Sequence, residues 1–148
     1  LLFNHESPLR PKRFVTRKIV AAAARIAAGS GETLRLGNID VARDWGYAPQ
    51  YVEAMWHMLQ REVPEDFVIA TGTTITLQEF VAEAFAALGL DWRAHVVVDP
   101  ELFRPADIAV SRANPAKAAR ELGWKATMSP ADVARAMAAH EQQEIASK

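Results

Sequence analysis

Apolar and polar positions along the chain fall into short blocks that switch between strand and helix periods. Leu1-Leu2-Phe3 is an apolar run that drops at once into Asn4-His5-Glu6-Ser7-Pro8, so Leu1–Asn4 reads as the end of a buried strand. Pro8 and Pro11 then keep the backbone out of regular structure. Phe14–Ala28 has the pattern of a helix, closed by Gly29-Ser30-Gly31. Thr33–Leu36 predicts a short strand, Gly37-Asn38 a turn and Asp40–Pro49 a polar loop. Across Tyr51–Arg61, Val52, Met55, Trp56 and Leu59 recur at helical spacing and predict one buried face.

The second half carries sharper boundary signals. Phe67–Ala70 is a continuous apolar strand of the kind buried on both sides. Thr76-Leu77-Gln78-Glu79 is a capping box, in which the Thr oxygen and the Glu carboxylate satisfy free N–H groups at a helix start. The helix it opens runs to Ala87-Leu88 and stops at Gly89, and His95–Val98 predicts a further strand. Asn114-Pro115 and Ser129-Pro130 each place a capping side chain before a Pro at the first helical position. They predict helices over Pro115–Leu122 and from Pro130 into the C-terminus.

Strands that alternate with helices predict an α/β protein with a partly parallel sheet. A strand at residue 1 needs parallel neighbours, and the crossovers to them are not supplied on its N-terminal side. The expectation is therefore the back portion of a larger α/β chain. At 148 residues the chain is long enough to bury a core. A net charge of −1 gives no support for a nucleic-acid or anionic-membrane binder. The apolar stretch Ile19–Ala28, broken by Arg25, is too short to span a bilayer. The absence of Cys removes disulfides, thiolate metal sites and thiol nucleophiles, and fits a cytoplasmic, reducing home.

Motifs that carry chemistry by themselves are missing: the sequence has no G-x-G-x-x-G, P-loop, H-E-x-x-H or G-x-S-x-G. The four His, at 5, 57, 95 and 140, lack metal-ligand spacing, so no metal site is expected. Two arginines flanked by loop-forming residues, Arg43 and Arg104, are the best candidates for a pyrophosphate clamp, with Lys18 as an added point charge. The plainer alternative is that each forms a surface ion pair. Asp107, three residues beyond Arg104, could accept from ribose hydroxyls, cap a helix or simply be solvated. Trp45, in a polar stretch, is either a packed anchor or the wall of a ligand pocket, whereas Trp56, Trp92 and Trp124 read as core.

The stretches "LFNHESP", "FVTRKI", "LGNIDVARDWGYAPQYVEAMWHMLQ", "EDFVIATG", "FRPADI" and "LGWKATMS", in this order, resemble the GDP-mannose 4,6-dehydratase family of extended short-chain dehydrogenases/reductases. The resemblance implies the C-terminal part of a Rossmann protein. That part holds the last strands of the parallel sheet, near residues 1–4 and 67–70, and a small α/β substrate-binding domain. It further implies conversion of GDP-mannose to GDP-4-dehydro-6-deoxy-mannose and water by internal hydride transfer through NADP. Asn4, Val15, Lys18, Leu36, Gly37, Asn38, Arg43, Arg104 and Asp107 would bind the sugar nucleotide, with Leu36–Asn38 near guanine and both arginines on the pyrophosphate. His5 and Arg10 would touch NADP.

The family's catalytic Thr, Glu and Tyr-x-x-x-Lys would lie upstream, so no catalytic residue is expected in this chain. Tyr47 is followed four positions on by Tyr51, and Tyr51 by Met55. The expected partners are GDP-mannose, an N-terminal NADP-binding part and, for the full-length enzyme, copies of itself in a homodimer or homotetramer. The sequence departs from the family pattern at Leu9, Pro11, Tyr47 and Asp107. Other readings are a different GDP-sugar epimerase or reductase, or an inactive binding module.

Overall fold

A computed structural model describes residues 1–147. It contains β1 (Asn4–Glu6), α1 (Val15–Ala27), β2 (Leu34–Leu36), β3 (Ala42–Arg43), β4 (Trp45–Tyr47), α2 (Ala48–Leu59), β5 (Ile75–Thr76), α3 (Leu77–Ala86), β6 (Val96–Val98), α4 (Ala116–Leu122) and α5 (Pro130–Ala146). The strands form three two-stranded pieces. β1 pairs with β4 and β2 with β6, both parallel, while β3 pairs antiparallel with β5.

Two apolar clusters hold these pieces. The larger lies where α1, α3 and α5 pack on one another and takes in Ile19, Phe80, Phe85, Val133 and Met137, with Leu34, Leu36 and Trp45 from the strands. The smaller consists of Tyr51, Ala54, Phe67, Ile69, Ala118 and Trp124. β4 touches both α2 and α5, so the short β1–β4 ladder is packed from two directions. Arg17 adds a polar tie within the first cluster's rim, donating to the Pro8 carbonyl and pairing with the nearly buried Glu141 of α5.

The helix ends follow the local chemistry. Thr76 and Glu79 form a complete capping box on α3. Ser129 and Asp132 do the same for α5, where Pro130 occupies the first turn. The Asn114 side chain accepts from the Ala116 N–H at 3.0 Å. Gly89 and Gly123 take φ of 74° and 64° after α3 and α4, where a side chain would be strained.

Four expectations are corrected. The first strand begins at Asn4 and not at Leu1. Leu2 makes only an isolated parallel bridge to Ile69, and Leu1 and Leu2 are exposed. The segment 67–70 is buried as expected but contributes that single bridge and not a full strand.

The supposed loop Asp40–Pro49 holds β3 and β4. Asp44 is fully buried there because both carboxylate oxygens are satisfied: Oδ1 accepts from Thr71 N and Oγ1, and Oδ2 accepts from Gly72 N at 2.8 Å. The buried face of α2 is Tyr51 and Ala54, whereas Val52, Trp56 and Leu59 face outward and Trp56 is 58% exposed. Gly46 makes room for that burial, since a Cβ there would sit 2.2 Å from the Tyr51 ring.

The α5 cap carries a pH signature. Asp132 accepts from the Ser129 hydroxyl at 2.6 Å, from Arg135 at 2.7 Å and from the Ser129 N–H at 2.9 Å. The hydroxyl bond, then Arg135, then the backbone bond pull its pKa down from 3.8 to about 2. A depressed carboxylate stabilises the fold above its unfolded pKa and loses that contribution as pH falls through the folded value. Thermal melts should therefore show wild type losing more stability than Asp132→Asn between about pH 4 and pH 2. Parallel pH profiles for the two proteins would refute the role of this cap.

Candidate functional site

A cavity of about 670 Å³ opens where the start of α1, the end of β2, β3 and the segment after β6 converge. Each wall has a local cause. Asn4 opens β1 and reaches the cavity from an exposed position. Phe14 caps α1 with extended backbone and no side-chain hydrogen bond, and the first turn contains no acid. That leaves Val15 and Lys18 on the wall beside a helix start whose N–H groups favour negative charge. The Lys18 ammonium donates to the Arg35 carbonyl at 2.8 Å.

The opposite wall is a strap, residues 99–111, anchored at both ends. At its start the Asp99 N–H donates to the Leu36 carbonyl at 2.7 Å, and the Asp99 carboxylate takes Arg35 at 2.6 Å. At its end Ala42 donates to Ala109 and accepts from Ser111, a short parallel contact with β3. In the middle, Arg43 Nη2 lies 2.8 Å from Asp107 Oδ1, and Arg43 Nη1 donates to its own neighbour's carbonyl, that of Ala42, at 2.9 Å. The strap presents Leu102, Arg104 and Asp107 to the cavity. Gly37 permits this approach: a Cβ there would meet the Leu102 carbonyl oxygen at 2.6 Å.

All nine residues expected to hold a sugar nucleotide line this one cavity: Asn4, Val15, Lys18, Leu36, Gly37, Asn38, Arg43, Arg104 and Asp107. They come from five separate stretches of chain. Trp45 also lines it while lying within the core against Phe80, so it is anchor and wall at once. Arg43 is on a strand and ion-paired, not on a free loop. Arg13, Phe14, Val41, Leu77 and Leu102 line the cavity too and carried no sequence signal as site residues.

His5 and Arg10 lie outside the cavity. His5 Nδ1 is 2.8 Å from the Phe3 carbonyl, and its ring packs tilted on Tyr51 at 5.0 Å. Arg10 folds over the Phe14 ring at 3.6 Å, with its Nε 3.2 Å from Glu6. Glu6 is buried and also accepts from the Thr16 hydroxyl at 2.8 Å. Burial raises its pKa above the usual carboxylate value, opposed by the Thr16 bond and by the charges of Arg10 and His5. Among the described residues no group of His, Cys, Asp and Glu has the arrangement of a metal site.

A sequence family described as GDP-mannose 4,6 dehydratase matches residues 1–137. The chain belongs to the GDP-mannose 4,6 dehydratase family. It is 50% identical over 125 residues to GDP-mannose 4,6 dehydratase 1 of Arabidopsis thaliana, covering 84% of this chain and 35% of that protein. It is 42% identical over 154 residues to GDP-mannose 4,6 dehydratase of Homo sapiens, covering 93% and 41%. The chain thus spans less than half the length of these relatives.

In three dimensions it superimposes on RMD from Pseudomonas aeruginosa, solved with NADPH, at a TM-score of 0.86 and 21% identity, covering 97% of this chain and 47% of that one. dTDP-glucose 4,6-dehydratase from Bacillus anthracis, solved with NAD, gives a TM-score of 0.79 at 18% identity, covering 97% and 43%. These likenesses establish the fold, that of the extended short-chain epimerases and dehydratases.

The close approach at Gly37 gives a direct test of the strap. Gly37→Ala should push the strap outward, costing about 1–3 kcal/mol as an overpacked contact does. Amide exchange should rise selectively over residues 100–107. Unchanged exchange in that segment would mean that the strap does not rest on Gly37.

Proposed function

We propose that this chain supplies the GDP-sugar site of a GDP-mannose 4,6-dehydratase, a lyase that converts GDP-mannose to GDP-4-dehydro-6-deoxy-mannose and water. The observation that carries this is the convergence of nine residues, from five stretches of chain, on one cation-lined cavity in a member of that family. Its size suits a nucleotide sugar. The pairing of an apolar wall (Val15, Leu36, Leu102) with cationic side chains suits a base and sugar joined by phosphates.

Within this reading the backbone of Leu36-Gly37-Asn38 lies along guanine. Asn38 Oδ1 already accepts from the Asp40 N–H at 2.9 Å, which leaves the amide NH₂ to donate. Asp107 approaches the ribose and Arg104 the diphosphate. Asn4 reaches the sugar end, one residue from His5, so the sugar and the cofactor meet at the start of β1. NADP, when bound, supplies the acceptor and donor for the internal hydride transfer. His5 fits a place beside it, because Nδ1 is held by a carbonyl and Nε2 makes no hydrogen bond among the described residues. Arg10, steadied by Glu6 and Phe14, would offer its remaining N–H groups to the same cofactor.

The chain acts here as the C-terminal, substrate-binding part of the enzyme. In this reading the NADP-binding part and the catalytic Thr, Glu, Tyr and Lys belong to the other part of the full-length enzyme. A cytoplasmic home suits a chain without Cys. Among the described residues no helix is long and apolar enough to cross a membrane. The reading also includes a homodimer or homotetramer and a place in deoxysugar biosynthesis.

The full-length protein, as its gene encodes it, should make the 4-keto-6-deoxy product from GDP-mannose with NADP. Arg104→Ala should weaken GDP-mannose binding by about 1.5–3 kcal/mol, the range for hydrogen bonds to charged groups. A protein with NADP bound that leaves GDP-mannose unchanged would refute the reading.

A further inference from the structure

Glu6 closes β1 with its carboxylate buried, 2% exposed to solvent. Such a group is costly unless it is paired. The two most buried carboxylates among the described residues, Asp44 and Glu6, are matched in different ways. Asp44 takes only neutral donors, from Thr71 and Gly72. A single oxygen of Glu6 faces both a neutral donor and a cation. Its Oε2 accepts from the buried Thr16 hydroxyl at 2.8 Å and lies 3.2 Å from Arg10 Nε. The Arg10 side chain keeps 24% of its exposure, so the charge of the buried acid is directed at a group that still reaches solvent.

Little else defines the loop that carries Arg10. Residues 7–14 contain Pro8 and Pro11 and no strand or helix. Their backbone is tied by two short turns, Arg10 N–H to the Ser7 carbonyl and Phe14 N–H to the Pro11 carbonyl, each at 3.0 Å. The Arg10 guanidinium is held between the Glu6 carboxylate and the Phe14 ring, 3.6 Å away. Only Nε meets Glu6, which leaves both terminal NH₂ groups to a ligand. If Glu6 served packing alone, an apolar side chain of similar shape would do as well, because a buried ion pair adds little net stability. A carboxylate adds direction: it fixes one edge of a planar guanidinium on a long side chain with many rotamers.

We infer that Glu6 is a positioning residue for the cofactor, holding the Arg10 guanidinium in the orientation that meets NADP. The inference rests on the reading of Arg10 as a cofactor contact and adds to it a residue that touches neither cofactor nor sugar nucleotide. Its signature is dependence on Arg10. A residue that acts by placing another side chain loses its effect once that side chain is gone, whereas a residue that supports the fold acts in either background.

The test titrates NADPH, followed by its fluorescence, and GDP, followed by calorimetry, into the full-length protein as its gene encodes it. Glu6→Gln keeps an oxygen for Thr16 and removes the charge that faces Arg10. It should weaken NADPH about fivefold, the scale of releasing one long side chain, and leave GDP unchanged. Arg10→Gln should weaken NADPH about tenfold, and adding Glu6→Gln to it should cause no further loss. Wild-type NADPH affinity in Glu6→Gln would overturn the inference. So would an equal loss in both backgrounds, or a loss that falls on GDP as much as on NADPH. Should Glu6→Gln not fold, Thr16→Val keeps the shape, frees the carboxylate from its second donor and gives the same comparison: a loss of NADPH affinity alone and none beside Arg10→Gln, with equal losses overturning the inference. Full NADPH affinity in Arg10→Gln would remove the cofactor contact and the inference with it, while leaving the GDP-sugar site standing. A wild-type protein that binds neither ligand would overturn both.

Discussion

The buried carboxylate of Asp44 is the constraint on which the geometry of the cavity depends. It has no exposure to solvent and accepts three hydrogen bonds from Thr71 and Gly72. Those bonds fasten the β3–β4 stretch to the chain that follows the buried segment 67–70. Residues on either side of Asp44 are thereby set with opposite tasks. Arg43 turns to the cavity and holds the strap, while Trp45 enters the core against Phe80 and forms part of the cavity wall. A carboxylate buried without such partners would cost several kcal/mol, of order that of any buried unpaired charge. With them it fixes a register that short strands alone could not.

Around that point the cavity is built by fixed supports and one longer strap. β2 and α1 belong to the main core, where Ile19, Leu34 and Leu36 are buried. The strap has few buried side chains, and Leu102, Phe103 and Ile108 are exposed along it. What keeps it in place is polar: backbone bonds at both ends, Arg35 on Asp99 and Arg43 on Asp107. Segments held by a few exposed polar contacts open more readily than packed ones. The site therefore combines a rigid floor with a wall able to yield as a ligand enters.

Much of this was legible in the sequence, where local chemistry decides structure. Thr76–Glu79 and Ser129-Pro130 announced their helices because a cap is satisfied within four residues. The stretch 40–49 was not legible, because the groups that satisfy Asp44 lie 27 and 28 residues further on. A polar residue with a distant partner looks like a loop residue. The α2 face was misread for a related reason. Val52, Trp56 and Leu59 make the stronger apolar stripe, yet the second cluster is shaped for Tyr51 and Ala54, and Gly46 alone makes room for that ring.

Arg43, Arg104, Lys18 and Asp107 were candidates from their chemistry and position, the other five came with the family resemblance, and the fold brings all nine substrate candidates together. Resemblance could not show which of them were already paired. Arg43 is paired with Asp107, whereas Arg104 has no carboxylate partner among the described residues. Resemblance also passed over Arg13, whose place in the cavity depends on the path of the loop from Pro8 to Phe14.

The most direct measurement is a crystal structure of the full-length protein with GDP-mannose bound. The account predicts guanine along Leu36–Asn38 and the diphosphate within hydrogen-bond distance of Arg43 and Arg104. A sugar nucleotide bound outside this cavity would contradict it.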